Sequence, residues 1–324
     1  MEIFVKTSLF TGVMFAIGAG IFRFYVAPDL NWAGSGSHAA GTGQQVQGNP
    51  LSRRLTMLFL AGLLLLLLAT PASILVTSQR LLGVVDLGFA SNYLTGTRHG
   101  QASIIRVALL LPLAVTMFAP FASALRRTLF TLTGLLVLLT FTGISHSAAM
   151  GGQGPLLADA THFLASTTWI GTLYFVTLLP LWGRESNDHH PLLPKLLERL
   201  STIGLVTVVT LFLTGIYLAL THIETPAVLT GTEYGQSLIF KLLVIAVVLI
   251  IAAVNRYFFV PRARNREGLP GFRRILAVEG LVLLLVLGAT GLLTSSALPH
   301  DPNITHPTPL QNLQNFLPLI GGAL

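Results

Sequence analysis

Between Ser145 and Phe163 the chain reads SHSAAMGGQGPLLADATHF, so two histidines, a methionine and an aspartate gather at a glycine-rich turn between two apolar runs. Imidazole suits copper, zinc, iron and nickel, and a thioether selects Cu(I). His146 ends the run before the turn, and Met150 lies in the turn. His162 stands about one helical turn into the next run, with Asp159 three residues earlier on the same helix face. Asp159 is either a ligand or an acceptor that orients the His162 ring. His222, at the end of a later run, returns to the same level, as does His99 at the start of an earlier one. A site of His146, His162 and His222 with Met150 and Asp159, lacking cysteine, favours copper. His99 is a weaker candidate because Tyr234 stands at its repeat position. His300 and His306 sit in a Pro-rich tail, His38 in a polar linker, and His189 and His190 in a loop on the other side.

These residues need apolar helices to position them, and the composition supplies them. Of 324 residues, 52% are hydrophobic and only 10% charged, with mean hydropathy +0.74. A soluble domain carries about 25% charged residues, so most of this surface does not face water. Apolar runs of about 20 residues cross a bilayer, and the sequence predicts eight, near 3–27, 53–78, 101–122, 128–148, 157–182, 197–222, 237–260 and 273–297. The expected fold is all-α, a polytopic membrane bundle. The first run begins near Met1 without an A-x-A-like cleavage site, which predicts a retained helix.

Net charge is +7, but the basic residues flank helix ends, where they orient the chain and meet lipid headgroups. This excludes a nucleic-acid role. The loop RYFFVPRARNREGLPGFRR holds Arg256, Arg262, Arg264, Arg266, Arg273 and Arg274 and marks the cytoplasmic side. Counting back puts both termini and the 145–163 turn outside. The Gly/Ser/Gln-rich linker within 28–52 is then cytoplasmic, and the tail 299–324 lies at the outer interface. Absence of cysteine excludes disulfides and thiolate metal sites. Without a GxxxxGK[ST], HExxH or GxSxG motif, neither an ATP-driven nor a hydrolytic enzyme is expected, and the chain reads as a non-enzyme.

LTGTRHGQASIIR (94–106) and LTGTEYGQSLIFK (229–241) repeat in register, each before an apolar run. Four runs separate the copies, an even number, so both have one orientation. This predicts two parallel four-helix repeats, 1–148 and 149–298. Glycines permit a tight turn and threonines can cap the following helix. Arg106 and Lys241 then lie about 9 Å into their helices. There they either snorkel to the headgroups or face the interior as part of a polar path that includes His99.

The stretches ADATHFLASTTWIGTLYF, FLTGIYLAL, TGTEYGQSLIFKLLV, AAVNRYFFVPR and TGLLTSSALP resemble the copper-resistance protein D (CopD) family of bacterial membrane proteins. The resemblance covers most of 145–298, and 94–127 fits the eight-helix version of that family. It implies a multi-pass protein of the bacterial inner membrane that handles the copper ion, moves it inward and works beside a periplasmic copper-binding protein. The chain departs from the richest versions in holding five methionines, so a His-dominated site fits better than a methionine relay. Two other readings remain open. Histidines on facing helices can hold haem b for electron transfer, and a non-transporting partner could deliver metal to another complex.

Overall fold

The computed structural model describes residues 1–29, 50–149, 152–177, 193–223, 226–264 and 268–296. All regular structure among them is helical. In chain order the helices are α1 (Glu2–Ile21), α2 (Pro50–Leu82), α3 (Leu87–Gly96), α4 (Arg98–Phe118), α5 (Ser123–Thr142), α6 (His146–Ala149), α7 (Gln153–Thr177), α8 (Leu193–His222), α9 (Pro226–Gly231), α10 (Glu233–Val254), α11 (Val260–Arg264) and α12 (Leu269–Ser295). π-helical turns extend α1 over Phe22–Val26 and α10 over Asn255–Phe259. Pro71 and Pro112 lie inside α2 and α4 without ending them.

Among the described residues, seven helical segments are long and apolar enough to cross a membrane: α1 with its π turn, α2, α4, α5, α8, α10 with its extension, and α12. The chain is therefore a multi-pass membrane protein. The run expected at 157–182 falls on α7, a 25-residue helix. Its sequence is more polar, carrying Asp159, Thr161, His162, Ser166, Thr167 and Thr168. Residues 178–182 of that run, most of the 28–52 linker and the 299–324 tail lie outside the described residues.

α1 is the central helix. Of its most apolar window 67% is buried within the protein, against 6% for α8. α8 instead turns Leu205, Val206, Phe212 and Leu213 outward, as a lipid-facing helix does. α1 packs on α2, α7 and α12, and α7 packs on α1, α5, α8 and α12. The α1–α7 crossing depends on glycine, because a Cβ on Gly18 would lie 2.5 Å from the Gly171 Cα. Small residues let two backbones touch in this way. Phe22 and Phe175 stack beside the crossing, with centroids 5.8 Å apart.

Contacts between helix ends fix two levels. At one, Glu2 pairs with Lys6 at 2.9 Å and Arg80 at 3.0 Å, and Lys6 donates to the Thr294 carbonyl at 2.5 Å. This joins the start of α1 to the ends of α2 and α12. At the other, Asp29 pairs with Lys195 at 3.1 Å and Arg199 at 2.9 Å, joining the end of α1 to the start of α8. The second level also holds Arg23, whose guanidinium donates to the Met117 carbonyl at 2.9 Å. Arg53, Arg54, Arg126, Arg127, Arg273 and Arg274 occupy helix starts at this arginine-rich end.

The repeated motif folds alike in both copies. Thr97 and Thr232 cap α4 and α10, each hydroxyl accepting from a glycine amide, Gly100 or Gly235, at 3.0 Å. Gln101 donates to the Thr95 carbonyl at 3.1 Å and Gln236 to that of Thr230 at 3.0 Å. A short helix, α3 or α9, precedes each cap. The glycine requirement is close approach rather than turn conformation. A Cβ would lie 2.1 Å from the Tyr93 carbonyl oxygen at Gly100 and 2.2 Å from that of Val228 at Gly235, while Gly96 and Gly231 face open space.

Candidate functional site

The site builds from the start of α7. Gly152 has φ +87°, a left-handed conformation that a side chain would strain. It turns the chain into α7, where Pro155 is tolerated in the first turn. Asp159 and His162 follow on one face, both half-buried.

His162 meets α8, its Nδ1 lying 2.9 Å from Thr214 Oγ1. The Thr214 hydroxyl has one proton, and it donates to the Thr210 carbonyl at 2.6 Å. Its oxygen therefore accepts from His162 Nδ1–H. With the Thr214 proton on the Thr210 carbonyl, the neutral ring donates from Nδ1 and keeps its Nε2 lone pair, the form a metal ligand needs. Tyr217, one turn further along α8, brings its hydroxyl against Gly154 at the start of α7.

α10 supplies the third side. Lys241 is half-buried and interacts electrostatically with both Asp159 and His162. Tyr234, 7% exposed, interacts with Asp159. The cluster of Asp159, His162, Thr214, Tyr217, Tyr234 and Lys241 joins the α7 start, the α8 end and the α10 start at the level of Glu2 and Lys6. It holds one carboxylate, one ammonium and one neutral imidazole. An ammonium has no lone pair, so Lys241 competes with any bound cation for Asp159.

The other expected residues are placed as follows. His146 begins α6, which packs on α7, and His222 ends α8. Their side chains, and Met150 entirely, lie outside the described residues, as do His38, His189, His190, His300 and His306. Among the described residues no three His, Cys, Asp or Glu side chains form a group that could hold a metal. His99 is exposed beside Tyr93, with ring centroids 6.3 Å apart.

Arg106 takes in α4 the motif position that Lys241 takes in α10. It faces the interior rather than the headgroups, at 1% exposure. Its Nε donates to Thr140 Oγ1 at 3.0 Å and its Nη2 to the Thr140 carbonyl at 2.9 Å. Its Cζ stacks 3.6 Å from the Phe141 ring centroid, a cation–π contact that strengthens when desolvated. Among the described residues no carboxylate pairs with it within 4.0 Å. The two copies of the motif thus hold a cation at the same motif position, one against neutral groups and the other near Asp159.

Sequence reading missed Thr214, Tyr217, Thr140 and Phe141, whose roles depend on which helices are neighbours. It also missed Glu279 and Asn255 at the opposite end. A lone glutamate in LAVEGLVLLL was the available signal, since a charge inside an apolar span is a functional candidate by default.

Helix number, apolar exterior and a half-buried polar cluster define a polytopic helical membrane protein with ionisable groups gathered near one end of the bundle. The profile of the N-terminal domain of copper resistance protein D-like proteins matches residues 1–156, and that of copper resistance protein D matches residues 194–293. Between them they cover well over half of the chain, which belongs to the copper resistance protein D family. Copper resistance protein D of Pseudomonas syringae pv. tomato is 27% identical over 309 residues, 89% of this chain and 94% of that protein. Inner membrane protein YebZ of Escherichia coli K12 is 29% identical over 172 residues, 50% of this chain and 57% of that one. Copper transport protein CutJ of Bacillus subtilis 168 is 26% identical over 227 residues, 66% of this chain and 40% of that one. The chain thus spans nearly all of the first relative, over half of the second and two fifths of the third. No solved structure matches it.

Proposed function

We propose that this protein is an integral membrane protein for copper transport, in the direction of uptake, within copper homeostasis or resistance, with the copper ion as its cargo. The observation that carries this is His162, whose Nε2 lone pair is left available by the Thr214 network beside Asp159, in a chain of this family. Asp159 attracts the cation, and His162 Nε2 is the first ligand. His146, His222 and Met150, which the sequence brings to the same level, complete the set. Lys241 holds Asp159 when the cation is absent and repels the cation when it is present, which favours release over trapping.

The same reading has eight spanning helices, with α7 as the eighth, in two parallel four-helix halves: α1, α2, α4 and α5, then α7, α8, α10 and α12. The like fold of the two LTGT motifs and the α1–α12 and α7–α5 pairings support it. Arginines gathered at one end make that end cytoplasmic and both termini periplasmic, in a bacterial inner membrane. The partner is a periplasmic copper-binding protein that presents copper to the outer face, and the protein performs no catalysis.

Copper content after purification without chelator tests the reading. About one ion per chain is expected, with loss in His162→Ala and retention in His38→Ala. A haem Soret band with no copper would replace it by the electron-transfer reading.

A further inference from the structure

At the arginine-rich end, α7, α8, α10 with its π turn, α11 and α12 line a half-open cavity of about 260 Å³. Its wall is mostly apolar, with polar groups on Trp169, Thr172, Ser201, Asn255, Arg256, Tyr257 and Glu279. Glu279, near the middle of the α12 sequence, is 2% exposed. Asn255, in the π turn after α10, donates from Nδ2 to Glu279 Oε2 at 3.0 Å. Its own Oδ1 is buried without a hydrogen-bond partner. Two acceptor groups, one potentially anionic, therefore face an apolar cavity with a single proton donated between them.

The cations nearby are engaged elsewhere or lie apart. Arg256 borders the cavity, but its Nη1 donates to the Ser201 carbonyl and hydroxyl, each at 2.6 Å. On α7, the Tyr174 hydroxyl donates to the Gly280 carbonyl at 3.0 Å. On α1, Lys6 is bound to Glu2 and Thr294 at the opposite level. On α11, Arg262 is exposed, and on α12 itself Arg273 and Arg274 are exposed. Among the described residues Glu279 has no ion pair within 4.0 Å. An isolated carboxylate in an apolar bundle is costly, and neutralisation by a proton removes that cost. A neutral carboxyl also gains an O–H, and the buried Asn255 Oδ1 beside it is an acceptor still without a donor. The cavity exceeds the ~30 Å³ that one water occupies in the liquid, so it can carry water to exchange the proton.

We infer that Glu279, seated against Asn255, is a proton-binding site that exchanges with the arginine-rich face through this cavity and couples cargo movement to protons. The coupling rests on the proposed transport of copper, whereas the proton site does not. On protonation the carboxylate takes one proton from cavity water and becomes a neutral acid. On release the proton returns to water, and the charge left behind faces Arg256, the nearest cation on the cavity wall. Binding and release at this end would then alter the grip of α10 on α8.

Two measurements on the full-length protein separate the claims. The first is an infrared pH titration of wild type and Glu279→Gln in lipid, with no copper present. Glutamine keeps the shape and still accepts from Asn255, so the variant folds. The expected result is a neutral-carboxyl C=O band in wild type that fades as pH rises and is missing from the variant. Identical carboxyl bands in both proteins at every pH would overturn the proton site. The second is copper uptake into proteoliposomes with and without an imposed pH gradient. The gradient should change wild-type uptake severalfold and leave Glu279→Gln uptake unchanged, with copper still bound at the outer face. Equal gradient dependence in both proteins would overturn the coupling. Absence of uptake in wild type, with the infrared difference intact, would overturn the transport reading and its coupling while leaving the proton site standing.

Discussion

His162 is useful because of what Thr214 does to it. A hydroxyl that spends its proton on the Thr210 carbonyl can only accept from Nδ1–H, and so leaves the Nε2 lone pair free, as the proposed ligand role requires. Thr214→Val removes that acceptor while keeping the shape. Copper affinity should fall roughly 10–100-fold, the usual loss when a ligand's supporting partner is removed, and calorimetric titration would show it. Lys241→Met should act the other way. Removing the ammonium leaves Asp159 to a bound cation, so copper should bind about tenfold tighter, a change of roughly 1.4 kcal/mol, and leave more slowly. Weaker binding in Lys241→Met would mean that Lys241 helps to hold the cargo. At this scale the sequence revealed residue types and levels. Asp159 and His162 were legible as a pair because i and i+3 share a helix face. The Thr214 contact was not, because no spacing within a chain states which face of α8 meets α7.

At the scale of elements, the long helices were legible because a run of apolar residues with few charges has one stable state in a membrane. The widest difference between expected and observed bounds among the seven apolar segments is at α5, Ser123–Thr142 against an expected 128–148, because the short turn before it leaves the apolar run without a sharp start. α3, α6 and α9 were not anticipated, being too short for a hydropathy signal, and the LTGT segments read as plain turns. The threonine caps were anticipated. The glycine role was not, since Gly100 and Gly235 serve backbone contact across two helices. Close approach at the α1–α7 crossing gives a direct test. Gly171→Ala places a Cβ 2.5 Å from Gly18 Cα and should destabilise the protein by about 1–3 kcal/mol. Gly288→Ala, in open space on α12, should leave the melting temperature unchanged or raise it. Equal melting temperatures for the two variants would contradict the packing.

The junction of the α1 end with the α8 start adds a pH term. The Lys195 hydrogen bond, aided by the Arg199 charge, holds the Asp29 carboxyl below the usual carboxylate range. Its folded value is depressed, so its contribution is complete above the unfolded value of about 4 and is lost as pH falls through the folded one. Asp29→Asn should therefore melt slightly lower than wild type at neutral pH and match it in strong acid. Raised salt should narrow the neutral-pH gap because the pair is exposed.

At the scale of the whole molecule, two copies of one motif that fold alike carry different cations at the same motif position, Arg106 against Thr140 and Phe141, Lys241 near Asp159. Among the described residues only the second copy places its cation beside a carboxylate. The proposed orientation rests on the gathering of arginine at one end. A reporter fused after Leu324 should behave as periplasmic, and cytoplasmic behaviour would invert the bundle together with the side from which copper arrives. The central claim is that copper binds at the His162 end. Its most direct measurement is the copper content of wild type and of the His146→Ala/His162→Ala double variant, each purified from membranes without chelator. The account predicts stoichiometric copper in wild type and none in the double variant, with equal membrane insertion. Unchanged copper in the double variant would contradict it.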